Sequence, residues 1–277
     1  MGRILIKDLS KCFGEKGNQT LALDRVNLEF TDTEFLGIVG PNACGKSTLL
    51  RIIAGVEEPT SGSVEFIGFG TPRPITPLIF QNSTLLPWRV VERNVGLVPE
   101  LRNAPKPLWE RVTKYFIGRT RLKGLEPRYP SELSGGYKRL TEIARALAAE
   151  EKILLMDEPF RSLDALTRKL MQEEVQKVRD ETKKGIVFVT HDIQEAVLLC
   201  DRVAVMTARP GRIKGILNVN VPRPRGLDSL TQPEFSKTAM KIWEMLRGEA
   251  EKSFAEVSEE ERRKNLKSFE RRTSFSQ

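Results

Sequence analysis

The loop Gly40–Ser47 constrains this chain more than any other feature, because it reads Gly-x-x-x-x-Gly-Lys-Ser. An apolar run, Phe35–Val39, leads into the loop, and Lys46–Ala54 follows with helical spacing until Gly55 ends the pattern. When strand, glycine loop and helix follow in this order, backbone N–H groups at the start of the helix face a bound phosphate. The sequence therefore predicts an α/β core with a nucleotide site at this loop.

The polar side chains of the loop have separate expected roles. Lys46 is expected to reach the β- and γ-phosphates, and the Ser47 hydroxyl is expected to bind Mg²⁺. The glycines allow a phosphate to approach the backbone closely. The residues predicted to contact the nucleotide here are Gly40, Pro41, Asn42, Ala43, Cys44, Gly45, Lys46, Ser47 and Thr48.

Two acidic residues follow a second apolar run. Ile153–Met156 and Ile186–Val189 are continuously apolar, which is typical of strands buried on both faces of a parallel sheet. Asp157 and Glu158 would then stand at the carboxyl end of a strand, where open α/β sheets bind ligands. We expect Asp157 to hold the metal through its water shell and Glu158 to act as the general base toward water. A strand-end turn without chemistry is the alternative, and the phosphate loop disfavours it.

A third motif, Leu133–Gly136, reads Leu-Ser-Gly-Gly and precedes the helical pattern Tyr137–Glu150. Ser134 and the N–H groups at the start of that helix are expected to form an anion site. The three motifs in this order resemble those of the ATP-binding subunits of ABC transporters, over about Ile4 to Arg212. The resemblance implies that Ser134, Gly135 and Gly136 meet the γ-phosphate bound by an opposite copy, with two ATP molecules held between two chains.

The resemblance also implies roles for four further residues. Gln81 matches the glutamine that contacts Mg²⁺ and water, and His191 matches the histidine that senses the γ-phosphate. Asp164 belongs to a Ser-Leu-Asp loop that resembles the one crossing the dimer interface. Phe13 occupies the place of the aromatic residue that stacks on adenine, with a core phenylalanine as the open alternative.

Some positions depart from the commonest pattern of this family. Ala43 replaces a usual glycine, so we expect the backbone there to avoid positive φ. Cys44 is a common variant whose thiol, near a helix N-terminus, is expected to favour thiolate and to be protected from alkylation by ATP. Tyr137 replaces a glutamine or methionine, and Leu140 stands where arginine is frequent. None of these changes removes a group that does chemistry.

The implied fold class is α/β: a P-loop NTPase (RecA-like) core with a parallel sheet, an N-terminal antiparallel β subdomain and an inserted α-helical subdomain. Residues 1–220 are predicted to form the ATP-binding domain, with the helical subdomain at about 88–150. Residues 221–277 are predicted to form a helical or partly disordered C-terminal extension. Pro222–Gly226 is interpreted as a linker to a helix over Phe235–Arg247.

Composition narrows the class of protein. One histidine excludes a multi-histidine metal site, and three cysteines without metal-ligand spacing indicate a reducing compartment. No apolar run approaches the roughly 20 residues of a membrane-spanning helix, and the N-terminus is short of a signal peptide. The formal charge of +8 could suit nucleic acid or an anionic membrane surface, but a solvated charged surface is the preferred interpretation. No nucleic-acid partner is expected, although the bulk charge by itself does not decide this. We therefore expect a cytoplasmic chain, and the resemblance implies that it is peripheral on the inner face of the cell membrane.

Two further stretches narrow the resemblance to one branch of the family. The segments Leu85–Trp88 and Ala208–Ile213 resemble the corresponding segments in the ATP-binding subunits of importers for nitrate, sulfonates and taurine. The resemblance implies an ATP-hydrolysing subunit that uses ATP and Mg²⁺, forms an ATP-dependent homodimer, and energises transmembrane permease subunits. A solute-binding protein would be an indirect partner.

Two rival functions remain open from the sequence. A soluble ABC ATPase of DNA repair or translation is one, although such proteins normally carry a long coiled-coil insertion or two cassettes. A P-loop binding module without turnover is the other, and Glu158 and His191 argue against it.

Overall fold

The computed structural model of the chain describes residues 1–15, 17 and 19–274, and residues 254–274 are described as helical backbone alone. The strands are β1 (Arg3–Phe13), β2 (Thr20–Thr31), β3 (Phe35–Val39), β4 (Ser61–Ile67), β5 (Leu78–Ile79), β6 (Ile153–Asp157), β7 (Gly185–Val189), β8 (Arg202–Met206) and β9 (Ile213–Asn218). The helices are α1 (Lys46–Ala54), α2 (Val91–Val95), α3 (Leu97–Leu101), α4 (Lys106–Arg119), α5 (Gly135–Ala148), α6 (Ala165–Thr182), α7 (Ile193–Leu199) and α8 (Pro233–Ser274).

Within the described residues the strands form two sheets. The smaller sheet is antiparallel, with the order β2-β1-β4. The larger sheet has the order β5-β6-β7-β3-β8-β9, and its pairs are parallel from β5 to β8. Strand β9 closes the edge by pairing antiparallel with β8. The predicted parallel core with an N-terminal antiparallel subdomain is confirmed.

The central strands are buried along their whole length because both faces of the large sheet are covered. Successive side chains of β3 alternate between two hydrophobic clusters, with Phe35 and Val39 in one and Leu36 and Ile38 in the other. The first cluster lies against α5, α6, α7 and α8, and the second lies against α1 and the small sheet. This double burial explains why the parallel strands are continuously apolar in sequence.

The large sheet brings the candidate active-site residues to one edge. The phosphate loop follows β3, Asp157 is the last residue of β6, and His191 comes shortly after β7. Because β3, β6 and β7 are parallel neighbours, their carboxyl ends meet at the same edge. The topology therefore assembles the site from segments that are far apart in sequence.

A helical lobe formed by α2, α3, α4 and α5 packs beside this edge. Val95 of α2 and Phe116 of α4 pack with Leu140 and Ile143 of α5 in one hydrophobic cluster. The indole N–H of Trp109 donates to the carbonyl of Gly96 at 2.7 Å and joins α4 to the loop between α2 and α3. Helices therefore occupy the sequence range, about 88–150, predicted for the helical subdomain.

The chain after Arg212 is better ordered than its sequence indicates. Strand β9 had no sequence prediction, because its residues alternate only between half-buried and exposed. The interpretation of Pro222–Gly226 as a linker is wrong, since the buried guanidinium of Arg225 donates to the carbonyls of four residues, Val197, Cys200, Val219 and Val221.

Helix α8 begins at Pro233, close to the predicted start, and extends well beyond the predicted end at Arg247. Its residues Phe235 and Ile242 join the same hydrophobic cluster as the central sheet. The division of the chain at residue 220 stays a prediction, and residues 275–277 lie outside the described part. Among the helices described, none combines the length and apolarity that a bilayer crossing requires.

Candidate active site

The phosphate loop is closed around the ammonium group of its own lysine. The side chain of Lys46 is buried, and Nζ donates to the carbonyls of Gly40 and Pro41 at 2.9 and 2.8 Å. Gly45 stands at the N-cap of α1 with φ of 103°, and a Cβ there would meet the Leu23 side chain at 2.6 Å. A glycine is therefore required both by the backbone conformation and by the close packing.

A cavity of about 470 Å³ opens over this loop. The predicted site residues that line it are Phe13, Asn42, Ala43, Cys44, Gly45, Lys46, Ser47, Thr48, Gln81 and Glu158. Phe13 is 41% exposed at the cavity wall, so the alternative of a core phenylalanine is wrong. Gly40 and Pro41 contribute through the carbonyls that bind Lys46 rather than through the cavity lining.

Two expectations for the loop are wrong. Ala43 has φ of 59°, in the left-handed region, so the backbone does not avoid positive φ there. The loop accepts a local strain of about 1–2 kcal/mol at this alanine. Cys44 is buried, and burial raises the pKa of its thiol, although the nearby Lys46 opposes this effect. The thiol form is therefore favoured, because the loss of water outweighs the field at the helix start.

The oxygen atoms expected to hold Mg²⁺ lie together. The Ser47 hydroxyl lies near the carboxylate of Asp157, which is buried at the end of β6. Burial raises the pKa of Asp157, the nearby Ser47 hydroxyl lowers it, and the charge of Glu158 raises it. A hydroxyl on the cavity wall with a carboxylate close behind it is the kind of donor set that Mg²⁺ takes in phosphoryl-transfer sites. The residues present thus fit the metal.

Glu158 lies between two nitrogen-bearing side chains. Its Oε1 is 3.3 Å from Nδ1 of His191, and its Oε2 is 3.1 Å from Nη1 of Arg161. Glu158 is nearly buried and has φ of 46°, and its N–H donates to the carbonyl of Val189 at 2.9 Å. A strained backbone held this firmly points the carboxylate into the cavity, where a general base is needed.

Ser134 and Asp164 do not line the cavity of their own chain. Ser134 is the N-cap of α5, and its hydroxyl accepts from the N–H of Tyr137 at 3.4 Å. Asp164 is the N-cap of α6 and accepts from the N–H of Thr167 at 3.0 Å. Hydrogen bonds from the side chain and backbone of Thr167 lower the pKa of Asp164. Both residues, with Gly135 and Gly136, start helices whose N–H groups favour an anion.

Two arginines that the sequence analysis missed also line the cavity. Arg161 lies in the turn after Glu158, and Arg209 lies in the loop after β8. The signal for Arg161 was a cation three residues after the proposed base. The signal for Arg209 was its position beyond a core strand, at the edge that carries the phosphate loop.

Comparison with known proteins defines the class to which this fold and site belong. The family model described as ABC transporter matches residues 23–161. An uncharacterized ABC transporter ATP-binding protein of Methanocaldococcus jannaschii is 45% identical over 91% of this chain and 94% of its own length. An aliphatic sulfonates import ATP-binding protein of Bacillus licheniformis is 42% identical over 84% of this chain and 89% of its own.

A bicarbonate transport ATP-binding protein of Synechococcus elongatus is 41% identical over 84% of this chain, which spans 36% of that protein's length. The dimeric structure of an ATP-binding cassette in a post-hydrolysis state, bound to ADP and Pi, superposes with a TM-score of 0.70. It is 27% identical and covers 78% of this chain and 99% of its own.

This chain belongs to the ABC transporter family, as an ATP-binding cassette with ATPase chemistry. The predicted resemblance to ATP-binding subunits of the importer branch is confirmed by the sulfonate and bicarbonate relatives. The P-loop fold with a parallel core is confirmed by the superposed cassette.

Proposed function

We propose that this chain hydrolyses ATP to energise an importer of a small solute such as nitrate, a sulfonate or taurine. The observation that carries the proposal is one cavity lined by the buried Lys46, Ser47 and Glu158. Asp157 lies beside Ser47, and Nδ1 of His191 is 3.3 Å from Oε1 of Glu158. The sulfonate relative supports the import direction, because its name specifies import, and the bicarbonate relative supports transport of a small anion.

Lys46 is suited to bind the phosphates of ATP. An ammonium group has three donors, and the carbonyls of Gly40 and Pro41 take two of them. The third contact is a long one of 3.9 Å to Sγ of Cys44, and a phosphate oxygen can replace it at little cost. Lys46 would thus hold the loop closed and the nucleotide in place at once.

Glu158 would take the proton from the attacking water, since its carboxylate lies in the cavity and is oriented by two neighbours. His191 would bind the γ-phosphate from the side next to Glu158, and Gln81 would orient the water. Ser47 and Asp157 would hold Mg²⁺, which supplies charge neutralisation at the phosphate oxygens when bound. A general base at this position contributes about 10²–10⁴-fold to the rate.

The same geometry supports an ATP-dependent homodimer. Ser134, Gly135 and Gly136 begin α5 outside the cavity of their own chain and present N–H groups to a second copy. Asp164 begins α6 on the turn that also carries Glu158 and Arg161. The similar cassette described above is dimeric, which supports two ATP molecules shared between two chains.

Transmembrane permease subunits are the proposed partners, with a solute-binding protein acting indirectly. Trp88 is 70% exposed beside the helical lobe, a position suited to contact with another protein. The chain would then act in the cytoplasm, on the inner face of the cell membrane. The rival function, a soluble ABC ATPase, does not require a contact with membrane subunits.

Affinity purification from detergent-solubilised membranes, with ATP present, tests this function. Tagged Glu158→Gln should lose ATP hydrolysis yet recover a hydrophobic multi-span protein, because ATP stays bound. Glu251→Gln changes an exposed carboxylate and serves as the matched control for turnover. Recovery of soluble proteins or nucleic acid alone would contradict the transport role and favour the soluble rival.

A further inference from the structure

The segment after β5, from Phe80 to Thr84, has no regular secondary structure although Gln81 within it lines the cavity. Phe80 is half-buried and Gln81 to Thr84 are exposed, so water could satisfy much of this backbone, yet several of its polar groups have partners within the protein. Here the partners are side chains of one helix, α5, rather than a neighbouring strand. Arg139, Glu142 and Arg145 supply them.

Arg139 binds the two carbonyl groups that flank the Cα atom of Gln81. Its Nη1 donates to the carbonyl of Phe80 at 2.6 Å, and its Nη2 donates to the carbonyl of Gln81 at 2.6 Å. The guanidinium is planar and presents its donors as a rigid fork, so two carbonyls fix its orientation and their own.

Glu142 completes this clamp. Its Oε2 accepts from Nη1 of Arg139 at 3.0 Å, and its Oε1 accepts from the N–H of Thr84 at 2.5 Å. Arg145 donates to the carbonyl and the hydroxyl of Thr84 at 2.9 and 2.8 Å. Three side chains at consecutive turns of α5 therefore hold the Gln81 segment at both ends.

The clamp is buried, which distinguishes it from an ordinary surface ion pair. Arg139 is 4% exposed and Glu142 is 2% exposed. A buried pair of charges adds little net stability compared with well-packed apolar residues, so stability alone is a weak reason for these residue types. What the charges do supply is a fixed geometry between α5 and the Gln81 segment.

The helix that carries the clamp also begins with Ser134. We propose that Arg139 and Glu142 are positioning residues that couple Gln81 in a chain's own ATP site to Ser134, which serves the site of the opposite chain. This inference rests on the proposed function. An α-helix moves as a rigid element, so a displacement of its N-terminus on the partner's nucleotide moves the Gln81 backbone with it. Each site would then sense the occupancy of the other.

A double variant of the full chain, Arg139→Met/Glu142→Leu, tests the coupling because it removes both charges and keeps similar side-chain volumes. We expect kcat for ATP to fall roughly 10- to 100-fold, as for a misplacement of about 1 Å, while KM changes much less. The Hill coefficient for ATP should fall to about 1, since the coupling between sites is lost. The melting temperature should change little.

Arg139→Lys is the second variant, because it keeps the charge beside Glu142 but cannot bind both carbonyls. Arg139→Lys should fold as the wild type does. Like the double variant, it should have a lowered kcat and a nearly unchanged KM for ATP. The matched control is Arg119→Met/Glu174→Leu, an ion pair joining α4 to α6 away from Gln81. That control should keep kcat and the Hill coefficient.

Three results would overturn the inference. Wild-type kcat and Hill coefficient in both Arg139 variants would show that the clamp positions nothing. An equal loss in the Arg119 control would show a general effect of disturbing the lobe. Absence of ATP hydrolysis by the wild-type chain, with MgATP bound, would overturn the proposed function itself, which separates that failure from the other two.

Discussion

Nη1 of Arg161 lies 3.1 Å from Oε2 of Glu158, so the proposed general base is paired with a cation from the turn that follows it. Arg161 is 60% exposed in its side chain and also lines the nucleotide cavity. It therefore stands where both the carboxylate and an incoming phosphate can use its charge.

Arg161→Ala should raise KM for ATP roughly two- to fivefold, since an exposed charge contributes up to about 1 kcal/mol. Steady-state kinetics with saturating Mg²⁺ measures the change. Arg161→Lys should restore most of the affinity. Arg128→Ala removes an exposed arginine that is paired with Glu132, away from the cavity, and should leave KM unchanged. An unchanged KM in Arg161→Ala would show that the cation does not reach the nucleotide.

Glu249→Ala should destabilise the chain by about 1.5–3 kcal/mol, as expected for lost hydrogen bonds to a charged group. The buried carboxylate of Glu249 accepts from the N–H of Ala208 at 3.0 Å and from Nζ of Lys214 at 2.7 Å. Denaturant unfolding measures the loss. Glu251→Ala, at an exposed position of the same helix, should change stability by less than about 0.5 kcal/mol. Equal effects at both positions would contradict the anchoring role of Glu249.

The contribution of Glu249 should depend on pH. Burial acts to raise the pKa of Glu249, but the bonds from Lys214, Ala208 and Lys252 outweigh it and hold the pKa below its usual value of 4.5. Its stabilising contribution is therefore complete above about pH 4.5 and is lost as pH falls through the lower folded-state pKa. The stability difference between wild type and Glu249→Gln should shrink over that acid range. A difference that is constant with pH would contradict this linkage.

Ala43→Gly should stabilise the chain slightly. The change removes a left-handed strain of about 1–2 kcal/mol. It adds unfolded-state entropy worth about 0.4–1 kcal/mol, so a net gain of about 0.5 kcal/mol is expected. The melting temperature should rise by about 1–2 °C. Ala146→Gly, inside α5, is the matched control and should lower stability by about 1 kcal/mol. A fall in melting temperature for Ala43→Gly would refute the strain.

Cys44 should react slowly with alkylating reagents at neutral pH. Its thiol is buried, and burial raises the pKa, so the reactive thiolate is scarce. Cys12 is only half-buried and should be labelled first. Mass spectrometry of the labelled chain measures both rates. Rapid labelling of Cys44 that ATP suppresses would instead favour the expectation made from its place near the helix start.

The sequence predicted the parts of the fold in which local and global signals agree. Strands β3, β6 and β7 were recognisable because burial on both faces makes them continuously apolar, and α1 because Gly55 ends it. Strand β9 was missed because its half-buried face carries Gly215 and its exposed face carries Ile216, so its sequence shows neither an alternation of apolar and polar residues nor an apolar run. Arg225 was assigned to a linker because nothing local shows that four carbonyls will surround its guanidinium.

The same limit applies to the site. Lys46, Ser47, Asp157 and Glu158 carry motifs that a sequence shows directly, and they do converge. The clamp around Gln81 could not be predicted, because Arg139 and the residues it binds are brought together only by the packing of α5 against β5. The burial that raises the pKa of Cys44 is likewise a tertiary effect that outweighs a local one.

The side chains of β3 alternate between two hydrophobic clusters, and this alternation fixes the register of the strand that leads into the phosphate loop. Deleting one residue from the middle of β3, such as Gly37, would reverse the facing of the residues on one side of the deletion. Ile38 would then face the cluster that holds Val39, and Val39 the cluster that holds Ile38, so both cores would be mispacked. The position of the phosphate loop relative to Asp157 therefore depends on hydrophobic core side chains that do not line the nucleotide cavity. A one-residue insertion is tolerated in a surface turn, but in β3 it would abolish the folded active site.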